Sequence, residues 1–192
     1  MTAEFVGTTD IQPVAVFPES RLGFPGLLTT LADVDPLDVH AKLLEEGHAN
    51  RAGETYPLPA TELEVDGSVF TITPIHSPFG ERAPAADEEA DVQANDVLTL
   101  IDEQLQAERP VALLYKTDAN PESNEYEWRL LTGYYPQSNG DGGPYHTLHP
   151  KEEGATRLSR LVVLEMIQRS LNHIDAYACT LTTSEAGRDA AA

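Results

Sequence analysis

Residues 108–135, ERPVALLYKTDANPESNEYEWRLLTGYY, hold two apolar runs of strand length around a turn-rich break. PVALLYKT reads as one strand and EYEWRLLTGYY as the next, because both are rich in Val, Leu, Tyr and Trp. DANPESN between them carries the Asp, Asn, Pro and Ser of a connecting turn. The pair predicts an antiparallel hairpin, with Arg109, Lys116 and Arg129 set among the apolar positions.

Working outward towards the C-terminus, SNGDGGP (138–144) is a glycine-rich loop and YHTLHP a further short strand. TRLSRLVVLEMIQRSLNHI (156–174) places Leu158, Leu161, Val162, Leu164 and Met166 near helical spacing, although its VVL centre also suits a strand; helix is the preferred reading. AYACTLTT closes as a strand and SEAGRDAAA as a frayed tail. Towards the N-terminus, Asn95 or Asp96 caps the helix DVLTLIDEQLQAE, whose Val97, Leu100, Ile101 and Leu105 share a face. SPFGERAPAADEEADVQAN (77–95) has no period and reads as a linker or loop.

TELEVDGSVFTIT (61–73) is a second hairpin, since Asp66-Gly67 supplies the positive φ angles of a tight turn between alternating residues. In DPLDVHAKLLEEGHAN, Asp35 is an N-cap, Pro36 the first helical residue and Gly47 the stop, with Leu37, Val39, Leu43 and Leu44 as a partial apolar face. Residues 1–34, punctuated by Pro13, Pro18 and Pro25, read as an extended arm or edge strand followed by a short helix. The expected fold is therefore α+β, with an arm at 1–34, a helix plus β-hairpin at 35–76 and an acidic Pro/Ala-rich linker or loop at 77–95. A small antiparallel barrel-like sheet with flanking helices follows at 96–183, then a disordered tail at 184–192. No repeat of fixed period and no sustained heptad pattern interrupts this order.

The 192 residues carry 32 acids against 12 bases, nine of them Arg and three Lys, for a formal charge of -20. A compact fold of that charge is strained by self-repulsion unless salt screens it, and at about 1 M salt the Debye length is roughly 3 Å. A carboxylate-rich, lysine-poor surface of this kind resembles that of proteins from salt-in halophiles and their viruses. Cys179 is the single cysteine, which excludes an intrachain disulfide and a cysteine-based zinc site and suits a reducing compartment. MTAEFVGTTDIQPVAVF lacks a basic n-region and a long apolar core, and no stretch reaches the length of a membrane span. The expectation is a cytoplasmic or virion-associated protein in high salt, without membrane contact.

The charge is uneven. Residues 1–106 hold 20 acids and 4 bases, whereas 107–173 hold 9 acids and 7 bases. Arg109, Lys116, Arg129, Lys151, Arg157, Arg160 and Arg169 thus lie in a nearly neutral segment suited to contact a partner, and arginine bridges carboxylates or phosphates bidentately. The plainer reading is that these cations pair with Glu108, Glu125, Glu127 or Glu165, or lay their stems over the core. Duplex DNA is disfavoured by the low pI and the want of a basic stripe.

His146 and His149 in YHTLHPKEEG are weak candidates for a metal pair with Glu152 and Glu153, but Pro150 and the spacing differ from a helical HExxH site. Gly140, Gly142 and Gly143 match neither phosphate-binding glycine pattern. No GxSxG elbow is present, and Cys179, with apolar neighbours in a strand, reads as packed rather than reactive. Tyr126, Trp128, Tyr134 and Tyr135 offer aromatic surface to a core or to a partner.

The order helix, ERPVALLYKTD, EYEWRLLTGYY, glycine loop, PYHTLHP and TRLSRLVVL over about 97–167 resembles the WYL domain. Arg157 and Arg160 stand where that family has its arginine-containing run, Tyr145 stands near the name-giving triplet, and Tyr115 matches the tyrosine ending its first strand. The triplet's Trp and Leu are absent and Ser159 replaces an aspartate. The resemblance implies a small Sm-like barrel and a regulatory sensor of nucleotides or nucleic acid through basic and aromatic side chains.

The leading expectation is a non-enzymatic binding or assembly module that contacts a protein partner or neighbouring subunits through 107–173, with Arg109, Lys116, Trp128, Arg129, Tyr145, Arg157 and Arg160 as contact residues. The WYL-like sensor, binding through Arg129, Arg157 and Arg160, comes second, and a metal-dependent hydrolase built on His146 and His149 third. No cofactor is expected.

Overall fold

The computed structural model describes residues 4–8, 11, 23–76, 87–118, 120, 125–136, 143–152, 154–171 and 177–185. Along the chain these form β1 (Val6–Gly7), α1 (Gly23–Leu28), α2 (Pro36–Glu45), β2 (Thr61–Val65), β3 (Ser68–His76), α3 (Asp87–Gln106), β4 (Val111–Lys116), β5 (Tyr126–Tyr134), β6 (Tyr145–Leu148), β7 (Ala155–Leu158), α4 (Arg160–Leu171) and β8 (Tyr177–Glu185). The fold is α+β.

The strands make one antiparallel sheet in the order β2-β3-β8-β4-β5-β6-β7, with β1 added to β5. β2 and β7 end the order without meeting, so the sheet is open and the expected barrel-like closure is corrected. β3 pairs with β8 from Ser68↔Glu185 to His76↔Ala178, which brings the 61–76 hairpin into the same sheet as the C-terminal strands. Closure fails for a simple reason: the 61–76 hairpin extends the sheet beyond β8 on one side, while β6 and β7 extend it from β5 on the other.

β4 explains the layering. Every residue from Val111 to Lys116 is buried, as expected of a central strand covered on both faces. Val111, Leu113 and Tyr115 pack with Val97, Leu98, Ile101 and Leu105 of α3 and Val163 and Ile167 of α4. Ala112 and Leu114 point oppositely and join Phe24, Leu27 and Leu28 of α1, Val39 and Leu43 of α2, and Trp128 of β5. α1 and α2 thus cover one face of the sheet, α3 and α4 the other.

The local signals account for most elements. Asp35 caps α2 by accepting from the Leu37 N–H at 2.8 Å, and Gly47 follows with φ 78°. The β2–β3 turn has Asp66 at φ 48° and Gly67 at φ 80°, a type I′ pair. Three expectations change. Leu37 and Leu44 of α2 are exposed, because the buried face runs through Pro36, Val39 and Leu43, three and four residues apart. α3 begins at Asp87, so 87–95 is helical rather than linker and Asn95 and Asp96 lie within it. Ala155–Leu158 is a strand, and α4 starts after Ser159, whose Oγ accepts from the Val162 N–H.

The arm is also different. α1 belongs to the core, with Phe24, Leu27 and Leu28 fully buried, and β1 pairs Val6↔Tyr134 and Gly7↔Gly133 within the same chain. Most of the proline-punctuated stretch, residues 77–86, most of the expected DANPESN turn and SNGDGGP loop, and residues from 186 onward lie outside the described residues. Ser184 and Glu185 continue β8. Cys179 is fully buried, and burial pushes its thiol up to about 12, which makes it a packed hydrophobe. Among the described residues no helix is long and apolar enough to cross a membrane.

Candidate functional site

β6 ends at Leu148, opposite Leu130, while β5 continues back to Tyr126. Pro150 lacks the N–H that would extend the ladder, and the chain instead turns, with the Glu152 N–H donating to the His149 carbonyl. The uncovered part of β5 faces a loop at 52–57. That loop is shaped by Asn50, whose Oδ1 accepts from the N–H groups of Ala52 and Glu54 at 2.9 and 3.1 Å, an Asx-type turn. Between the two lies a cleft of about 840 Å³ lined by Gly23, 52–57, Leu114, Tyr126, Glu127, Trp128 and 149–151.

Trp128 forms its floor. Its ring packs on Phe24 at 4.5 Å and edge-on to Tyr177 at 5.7 Å, so the indole is anchored in the core with its remaining surface towards the cleft. Tyr56 stands at the rim, 47% exposed. Thr55 is 7% exposed and its Oγ1 is buried without a hydrogen-bond partner among the described residues.

A polar lattice holds the opposite wall. His149 Nδ1 accepts the Lys151 N–H at 3.1 Å, so the ring proton is on Nε2, which donates to Glu127 Oε2 at 3.1 Å. Lys151 Nζ reaches Glu127 Oε1 at 2.6 Å, and the Tyr115 hydroxyl donates to Oε2 at 3.2 Å. The His149 bond, then that of Lys151, holds the Glu127 carboxyl down at about 2 against the desolvation that raises it. Both His149 nitrogens and both Glu127 oxygens are therefore engaged, and the group ties the turn to β5.

Deeper, Arg129 NH2 donates to Glu152 Oε1 at 2.9 Å and NH1 to Oε2 at 3.3 Å and to Thr147 Oγ1 at 3.1 Å. Thr156 Oγ1 also donates to Glu152, and these bonds lower the Glu152 carboxyl. On the α3/α4 side Arg160 NH1 donates to Asp102 Oδ2 at 2.9 Å and to the Tyr145 hydroxyl at 3.0 Å, while that hydroxyl donates to Asp102 Oδ1 at 2.6 Å.

The structure thus disperses the sequence-derived contact residues. Arg129 and Arg160 are held by internal carboxylates; Tyr145 and Lys116 are buried, at 0% and 1% exposure, in the sheet interior. Arg109 is exposed beside Gln104 at 3.4 Å. Arg157 lies 5.0 Å over the Tyr135 ring, at the far side of β6 and β7. Trp128 alone of the seven lines the cleft.

His146 and His149 do not meet as a metal pair: His146 Nδ1 contacts Thr132 Oγ1 at 2.7 Å and its ring faces Phe5, whereas His149 faces Glu127. Burial, then Arg157, lowers the His146 pKa. Among the described residues no three His, Cys, Asp or Glu side chains are grouped to hold a metal ion. The 52–57 loop was not among the sequence-derived candidates; NRAGETYP signals a turn, and nothing local says that it faces Trp128 across the sheet.

No protein-family model matches this chain, and no curated protein or solved structure matches it. The WYL likeness rests on the residues quoted for it.

Proposed function

We propose that the chain is a non-enzymatic binding module of a high-salt system, which takes an extended segment of a protein partner or a neighbouring subunit in the cleft between 52–57 and 149–151. The observation that carries this reading is the wall chemistry: the anchored Trp128, Tyr56, Tyr126, Pro57 and Pro150 all line the one cleft. Aromatic and proline walls of this kind suit an extended peptide, and the volume lies within the ordinary range for ligand clefts. The engagement of Glu127 and His149 by Lys151 and by each other favours binding over acid–base catalysis.

Trp128 is the single tryptophan, so intrinsic fluorescence reports directly on the cleft. Selection of a displayed peptide library on the full chain in molar KCl, followed by Trp128 fluorescence titration, tests the reading. Enriched peptides that move the emission and are weakened by Tyr56→Ala support it. Failure to enrich any sequence above an unrelated acidic protein sinks it.

A sensor of a nucleotide or nucleic acid is the second reading, and one observation favours it. Arg157 lies over the ring of Tyr135, which with Phe5, Thr132 and His146 lines a smaller cavity of about 360 Å³, and makes no ion pair among the described residues. Undiminished nucleotide affinity in Arg157→Ala would remove it.

A further inference from the structure

The cleft carries an excess negative charge, and its position says what the occupant presents. Of the ionisable side chains lining it, Lys151 and Glu127 neutralise one another at 2.6 Å. His149 has both ring nitrogens engaged, Nδ1 by the Lys151 N–H and Nε2 by Glu127. Glu54 remains: exposed, oriented by Asn50 Nδ2 at 2.6 Å, and in no ion pair among the described residues. Tyr56, two residues on, lines the same cleft; its ring is half-exposed and stacks on no other ring among the described residues. Tyr126 and Trp128 line the same space.

Aromatic faces carry negative quadrupoles and attract ammonium or guanidinium groups within about 6 Å, more strongly where water is displaced. A carboxylate beside such faces completes a receptor for an organic cation. An apolar side chain would gain the aromatic contact but leave the Glu54 field unused, and an acidic one would meet both Glu54 and the field of a chain of charge -20.

We infer that the segment accepted by this cleft inserts a cationic side chain, arginine or lysine, between Tyr56 and the Tyr126–Trp128 wall, with Glu54 as its counter-ion. This rests on the cleft being a peptide site and adds the chemistry of the residue it selects. In molar salt the long-range field is screened, while the short contacts to the ring faces and to Glu54 persist, so the selection survives where non-specific attraction of basic peptides does not.

The test uses the full chain and capped pentapeptides, acetyl-Ala-Ala-X-Ala-Ala-amide, with X as Arg, Lys, Leu or Glu, at ordinary salt and in about 1 M KCl. Trp128 emission and the amide shifts of Gly23, Gly53 and Thr55 are followed. The Arg and Lys peptides are expected to bind about tenfold more tightly than the Leu and Glu peptides, the size of a cation–π contact supported by a carboxylate. Glu54→Gln and Tyr56→Ala, both at exposed positions, each erase most of that preference while circular dichroism stays unchanged. Equal affinity for the Leu or Glu peptide overturns the cationic selection, as does the absence of any response to both cationic peptides. If the library selection still yields binders, the peptide reading stands without it; if it does not, both fall.

Discussion

Glu127 and His149 are joined by one hydrogen bond of 3.1 Å, Nε2–H to Oε2, which ties the start of β5 to the turn after β6. Through it a strand and a turn 22 residues apart become one wall of the cleft. The fixed tautomer follows from the Lys151 N–H on the other ring nitrogen, so the backbone turn itself sets the direction of the side-chain bond.

The Glu127 carboxyl lies at about 2 in the folded chain against 4.5 ordinarily. Its folded pKa is depressed, so its contribution is complete above about pH 5 and is lost as the pH falls towards 2. Relative to Glu127→Gln, the native chain is expected to lose on the order of 2 kcal/mol across that window. Chemical denaturation at pH 7 and pH 3 in molar KCl measures the difference; parallel curves for the two proteins would contradict it.

Arg129 and Glu152 form a bidentate pair with the guanidinium side chain 8% exposed and the carboxylate 42% exposed. Removing Glu152 leaves a largely buried cation, and Glu152→Ala is expected to cost roughly 1–3 kcal/mol, reduced from the fully buried case by the open side of the carboxylate. Arg129→Met together with Glu152→Ala recovers much of that loss. A double variant no more stable than the single one refutes the argument.

Gly7 and Gly133 face each other in the β1–β5 ladder so closely that a methyl group on Gly133 would overlap the Val6 carbonyl oxygen, and one on Gly7 would overlap the backbone of Thr132 and Gly133. Gly133→Ala is therefore expected to release β1 while leaving the rest of the sheet, with a cost of about 1–3 kcal/mol. Hydrogen exchange supplies the readout. Faster exchange of the Thr8 amide, which donates to the Thr132 carbonyl at 3.0 Å, is the expected sign.

On α2, Leu43 is fully buried and Leu37 is 60% exposed. Leu43→Ala should cost about 2–5 kcal/mol, and Leu37→Ala no more than roughly 0.5 kcal/mol. Thermal unfolding of the pair distinguishes the two faces, and equal losses would mean that the helix is packed on the wrong side.

The excess of 20 negative charges predicts that stability rises steeply with KCl until the repulsion is screened. Denaturation midpoints from 0.1 to 2 M KCl read this out, and a flat profile would count against a surface adapted to salt.

What the sequence determined by itself was local. Asp66-Gly67 dictates a tight hairpin because few other pairs accept two positive φ angles. Asp35-Pro36 starts α2 by capping chemistry, and the apolar run of β4 marks a strand. The composition likewise states the charge that solvent must screen. The tertiary structure decided the pairings that have no local signal. Nothing near Ser68 announces Glu185 as its partner, and nothing in TRLSRL says that Arg160 meets Asp102 while Arg157 lies over Tyr135. The candidate cleft is of this second kind. Trp128 was visible as an aromatic on a strand, but Tyr56 and His149, which line the same cleft, come from segments far apart in the chain and meet where β6 ends opposite Leu130 and the start of β5 runs on beyond it. Turn and cap preferences act over a few bonds and are written residue by residue, whereas strand order and ion pairing minimise the free energy of the whole assembled sheet.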